Sequence, residues 1–115
     1  MSLSTVAVLV VAALHTGFFV IESVLWTSPE VMRIFGNTPQ EAQTTTLLAL
    51  NQGFYNLGAA ALLIGFHATG HTAGVMGVLL FLAGMGLVGA ITANGAILLV
   101  QTLPALVALL IVYRV

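Results

Sequence analysis

The run Thr46–Phe66, TLLALNQGFYNLGAAALLIGF, decides the fold class. At ~1.5 Å per residue it is long enough to cross a hydrocarbon core of ~30 Å. It lies within a longer stretch, Ala42 to Tyr113, that contains no Asp, Glu, Lys or Arg. Yet its middle reads Asn51-Gln52-Gly53-Phe54-Tyr55-Asn56, three amides and a phenol in six residues. An unpaired polar group in such apolar surroundings costs roughly 2–7 kcal/mol, so these side chains require partners.

The rest of the chain agrees with a membrane setting. Of 115 residues, 60% are hydrophobic and 4% are charged, against about 25% charged in an ordinary soluble domain. Too few charged groups are present to coat a water-facing surface, which makes this an integral membrane protein. A net charge of −1 leaves nothing to neutralise phosphates and excludes nucleic acid as a partner. There is no cysteine, which removes disulfides, thiol chemistry and cysteine-ligated metals.

Working outward, four membrane helices are expected within a single domain, residues 1–115. The first covers about 3–26. It has no basic residue before it and is longer than the apolar segment of a signal peptide, so it is read as a retained helix. Trp26 marks its interfacial end. Ser28-Pro29 and Gly36 bracket a short interfacial helix, with a serine cap, a proline in the first turn and a glycine stop. Thr38-Pro39-Gln40-Glu41 has the spacing of a capping box and opens helix two, about 39–67. Helix three, about 73–93, is rich in glycine and suited to close helix approach. Asn94-Gly95 is a turn. Helix four covers about 96–113, with Pro104 expected to kink it or to free the carbonyl of Val100. The connections are short, so the architecture is an all-α, up-down bundle of four transmembrane helices.

Helix rise also gives depth. From the side of the Thr27–Gln43 loop, Glu22 lies roughly 6 Å deep and His15 roughly 16 Å. Asn51 and Gln52 lie roughly 8–9 Å deep, Asn56 roughly 15 Å and Gln101 roughly 8 Å. The strongly polar groups thus fall in one half of the bilayer. They predict a polar pocket between helices one, two and four, lined by His15, Glu22, Asn51, Gln52, Tyr55, Asn56 and Gln101. A carboxylate within a membrane span is a functional candidate by default, whereas amides alone also serve as helix–helix glue.

Two classes of function fit these residues. In the first, the pocket binds or transports a small polar or cationic ligand, with Glu22 changing protonation. In the second, His15 and Glu22 form an acid–base pair acting on a lipid or lipophilic substrate. An accessory or scaffold role requires no chemistry at all. The amide-rich site without a nucleophile favours binding or transport. Hydrolysis by a Ser/His/Asp triad is excluded, because the chain has no Asp. His67 and His71 stand four residues apart with no third ligand near, and His15 with Glu22 leaves a metal shell incomplete, so no metal or other cofactor is expected. Expected partners are membrane lipid, a small-molecule ligand, and further copies of the chain meeting through the glycine-rich helix three.

The assembled residues resemble a family of small membrane proteins known as domain of unknown function 1304. The likeness lies in His15-x-x-Phe18-x-x-x-Glu22-x-x-x-Trp26-Thr27-x-Pro29, then Phe35-Gly36-x-Thr38-Pro39, then Asn51 to Asn56, and finally Gln101-x-x-Pro104-Ala105. It runs in order over nearly the whole chain, and the amide stretch is its most specific part. The resemblance implies a four-helix integral membrane protein and picks out the same polar residues; it implies no reaction. The family tends to carry basic residues between helices three and four, where this chain has Ala93-Asn94-Gly95. Arg33 and Arg114 fall on opposite sides and cancel as orientation signals. The family pattern places the Arg33 loop inside, and the expected location is a bacterial inner or plasma membrane.

Overall fold

The computed structural model describes all 115 residues and is helical throughout, with no strand. In chain order the elements are α1 (Leu3–Phe19), α2 (Pro29–Phe35), α3 (Pro39–Thr44), α4 (Thr46–Ala68), α5 (Thr72–Thr92) and α6 (Leu103–Arg114). Two wider π-helical turns complete the fold: Val20–Val24, which continues α1, and Leu98–Thr102, which leads into α6. Three helices, Leu3–Val24, Thr46–Ala68 and Thr72–Thr92, are long and apolar enough to cross a membrane. The last apolar helix, Leu98–Arg114, is shorter, at 17 residues or ~26 Å of rise.

The local signals act much as the side chains dictate. Ser28 Oγ accepts from the Val31 N–H, Pro29 stands in the first turn, and Gly36 ends α2 in the left-handed conformation at φ 68°. Few residues other than glycine reach that conformation cheaply. Thr38 and Glu41 form a full capping box at the start of α3, with bonds of 3.1 and 3.4 Å. Asn94 Oδ1 accepts from the Ala96 N–H and closes the expected turn.

Three helices depart from the simple sequence expectation. The expected helix over about 39–67 breaks at Thr45 into α3 and α4. Thr44, Thr45 and Thr46 each donate a hydroxyl to the carbonyl four residues earlier, on Gln40, Glu41 and Ala42. Such back-bonding bends a helix, and three β-branched residues in succession add crowding. Helix one, expected over about 3–26, is α-helical only to Phe19 and ends with the π turn at Val24, leaving Trp26 in the following turn. Helix four, expected over about 96–113, opens with a π turn ahead of Pro104. Proline has no N–H and crowds the carbonyl four residues before it. The chain accommodates this by widening, with the Leu103 N–H donating to Leu98 O, five residues back.

Backbone contacts group the residues into two compact units, Met1–Leu14 with Ala59–Val115, and His15–Gly58. The first holds the apolar core: Val8 and Val11 of α1, Leu63 of α4, Val75, Leu79, Leu82 and Ala83 of α5, and Ala105, Ala108 and Val112 of α6. The α5 members recur at three- and four-residue steps, the spacing of one helix face. At one edge of this unit Thr5 Oγ1 and His67 Nε2 are hydrogen-bonded at 2.8 Å, and His71 Nδ1 caps α5 by accepting from the Gly74 N–H. Both loop histidines therefore have structural work. Deeper in, Thr102 Oγ1 donates to Ala83 O at 3.1 Å directly beside Gly86.

The second unit is tied by Trp26, whose Nε1 donates to Thr45 Oγ1 at 2.9 Å and whose ring lies 5.0 Å from that of Phe35. The same threonine that helps break the helix thus receives the tryptophan. Val31, the one buried residue of α2, anchors that short helix, while Ile34 and Phe35 stay exposed.

The glycines of α5 are not equivalent. A Cβ on Gly86 would collide with Thr102 Oγ1 and stand 3.0 Å from the Thr102 nitrogen, whereas Gly84 has open space around it. We expect Gly86→Ala to lower the thermal stability of the protein in detergent by about 1–3 kcal/mol through overpacking. Gly84→Ala should leave it unchanged or raise it by up to about 1 kcal/mol, since alanine favours the helix.

Candidate functional site

The second unit brings together two of the residues expected to line the pocket. Glu22 lies in the π turn of helix one, and Asn56 closes the amide stretch on α4. Asn56 Nδ2 donates to Glu22 Oε1 at 2.6 Å. Asn56 is 8% exposed and Glu22 is half-buried. Glu22 makes no other side-chain hydrogen bond, so its second oxygen is uncommitted.

What sets this pair in register is the residue after Glu22. Ser23 Oγ donates to Leu50 O at 2.9 Å. The approach is possible because Gly53 has no side chain: a Cβ there would fall on Ser23 Oγ and stand 3.1 Å from Phe19 O. Phe19 and Phe54 close the flank, edge to face, with ring centroids 5.1 Å apart. The widened turn, the hydroxyl and the glycine together carry Glu22 onto Asn56. Ser23 was not among the sequence candidates. Its signal was present as a hydroxyl beside the one carboxylate of a long apolar helix, with a glycine in the facing helix.

The amide stretch itself divides. Gly53 and Asn56 are buried, in line with Ala49, Ala60 and Leu63. Asn51, Gln52 and Tyr55 are exposed, Tyr55 to 77%. Asn51 Nδ2 turns back to Leu47 O on its own helix at 3.0 Å. Gln52 is nearest of the three to Asn56, one turn before it on the same side of α4, and stands at the rim of the buried line.

Two candidates remain, His15 and Gln101. His15 is fully buried, its ring packed edge to face on Phe18 at 5.0 Å. Gln101 belongs to the first unit, in the second π turn, where its Nε2 donates to Leu82 O at 3.0 Å. An open groove of about 540 Å³ in that unit, lined by Met76, Gly77, Leu80, Leu106, Leu109 and Tyr113 among others, is apolar and includes none of the candidates.

The family model described as Protein of unknown function (DUF1304) matches residues 9–113. The chain belongs to that family. No curated protein and no solved structure matches it.

Chemically, Glu22 with Asn56 is a carboxyl group in an apolar span, held by one amide donor and with one oxygen to offer. Removing the amide leaves it half-buried and unsupported. Asn56→Ala should therefore destabilise the protein by about 1 kcal/mol, near the upper range of membrane hydrogen bonds. In a double-mutant cycle with Glu22→Ala, followed by unfolding in detergent, the two losses should be less than additive. Strict additivity would mean the bond contributes nothing.

Proposed function

We propose that this is a four-helix, up-down integral membrane protein that binds a small polar or cationic ligand at Glu22, within the bilayer, and exchanges it with changes in the protonation of that carboxyl group. The observation that carries the reading is the bond from Asn56 to a single oxygen of Glu22, which orients the carboxyl group and leaves its other oxygen for a guest. A purely structural bond between helices needs no ionisable group, since an amide pair would serve at lower cost. The three long apolar helices support the membrane setting, and the shorter Leu98–Arg114 is read as the fourth span. Gln52, at the rim beside Asn56, is the next residue a guest would meet.

Binding is favoured over acid–base catalysis by the state of His15. A general base must reach its substrate within about 2.6–3.2 Å or through one water. His15 has no exposed surface and is covered by Phe18. It is a buried residue of the second unit, its ring packed on Phe18.

The test uses tetraphenylphosphonium, a lipophilic monovalent cation, with purified protein in liposomes. The wild-type protein should bind or move it with a dependence on pH. Glu22→Gln, which can still accept from Asn56, should weaken binding by about 10-fold or more, the scale of losing a desolvated charge partner. Equal binding by wild type and Glu22→Gln, or no binding by the wild type to this cation or to a set of smaller ammonium ions, would rule out the proposal.

A further inference from the structure

Helix α4 carries two seams, and the chain uses only one. The buried seam is Ala49, Gly53, Asn56, Ala60 and Leu63, with steps of four, three, four and three. On the far side runs a second seam with the same kind of spacing: Leu48, Asn51, Tyr55, Gly58 and Leu62, all exposed. Alternating steps of three and four are the spacing of a helix face that packs against another helix at a shallow angle. The outer seam has the same ingredients as the inner one, an amide and a glycine one or two turns apart. A Cβ on Gly58 would meet nothing within 4 Å.

The polar members of this outer face have unmet demands. Tyr55 makes no side-chain hydrogen bond within the chain, and Asn51 bonds only to Leu47 O of its own helix. Position makes this costly. Tyr55 is nine residues from the start of the span at Thr46 and thirteen from its end at Ala68. At ~1.5 Å per residue that is ~13 Å and ~20 Å, close to mid-span and beyond easy reach of the headgroups. A phenol 77% exposed at that depth would otherwise face hydrocarbon.

We propose that this face of α4 is where two copies of the chain meet, with Asn51 and Tyr55 of each bonding to the same residues of the other across a two-fold axis. The chemistry selects a second copy. An amide and a phenol each both donate and accept, so the stripe is complementary to itself. A two-fold interface requires such self-complementarity, and Gly58 lets the two helices come close. A fixed donor or fixed charge would instead call for a different partner, and the face has neither. The proposal does not depend on the ligand at Glu22, which lies against the inner seam.

The chain has no cysteine, so single cysteines can be scanned from Leu47 to Leu62, Gly53 excepted, in purified protein reconstituted in liposomes. Oxidation should give disulfide-linked dimers that peak at positions 48, 51, 55 and 58, with exposed Leu80 and Leu87 on α5 as controls. Separately, fluorescence transfer between labelled copies should show Tyr55→Phe and Asn51→Leu each weakening association by about threefold to tenfold. Both changes are on an exposed face and should leave helix content intact. Cross-linking that is flat along α4, or strongest at the α5 controls, would overturn the proposal. So would a chain that stays monomeric at every protein-to-lipid ratio, with its polar face met by lipid alone.

Discussion

Two of the polar groups in this protein, Glu22 and Gln101, are placed by one kind of contact: a hydroxyl that donates to a main-chain carbonyl of the facing helix, next to a glycine. It occurs twice. Ser23 donates to Leu50 O, and Gly53 stands three residues further on. Thr102 donates to Ala83 O, and Gly86 again stands three residues further on. In both places the hydroxyl belongs to a π turn, and the residue before it carries the polar group of interest, Glu22 in one case and Gln101 in the other. A helical carbonyl has a second lone pair to offer, but only if the donor comes very close. The glycine removes the side chain in the way, and the wider turn pushes the hydroxyl outward. With register set in this manner, Glu22 arrives at Asn56 and Gln101 at the carbonyl of Leu82.

These bonds specify more than they stabilise. Side-chain hydrogen bonds between membrane helices contribute typically ~0.6 kcal/mol each. Cohesion comes instead from packing, as in the cluster around Leu63, Leu79 and Leu82, where each side chain is almost wholly enclosed. Small residues dominate the contact lines: Ala49, Gly53 and Ala60 on α4, and Ala105 and Ala108 on α6. Between helices of that kind the backbones come near enough for a serine to find a carbonyl. Polar bonding is thus a consequence of close packing, and then decides which of several equally close registers is kept.

Much of this was legible in the amino-acid sequence, because composition and punctuation are strong signals in a chain with so few charges. The cap at Ser28, the stop at Gly36, the box at Thr38 and Glu41 and the turn at Asn94 all arise from residues whose side chains or φ angles act on their own backbone. Depth along the helices put Glu22 level with Asn51 and Gln52 and put Asn56 level with His15, whereas the bond that forms joins Asn56 to Glu22. Facing is what depth cannot supply. The amide stretch looked like one wall of a pocket, yet four of its six residues are exposed, because its spacing creates two opposite lines and only packing decides which is buried. The π turns were equally out of reach. A proline at 104 announces trouble in helix four, but nothing in Val20–Val24 announces a widened turn packed against Gly53 of a different helix.

Those two turns have a consequence for the length of the chain. A π turn carries one residue more than the α turn it replaces, so it is an insertion absorbed within a helix, without a loop. Each residue added to an α-helix rotates the downstream segment by about 100° and advances it ~1.5 Å. The wide turn takes up that rotation, so deleting one residue from Val20–Val24 would restore regular winding and keep the segments on either side near their present register. The same holds for Leu98–Thr102 and α6. At these two places the protein tolerates a change of one residue by exchanging rotation for width, and at each of them it has put its polar group on the residue that moves.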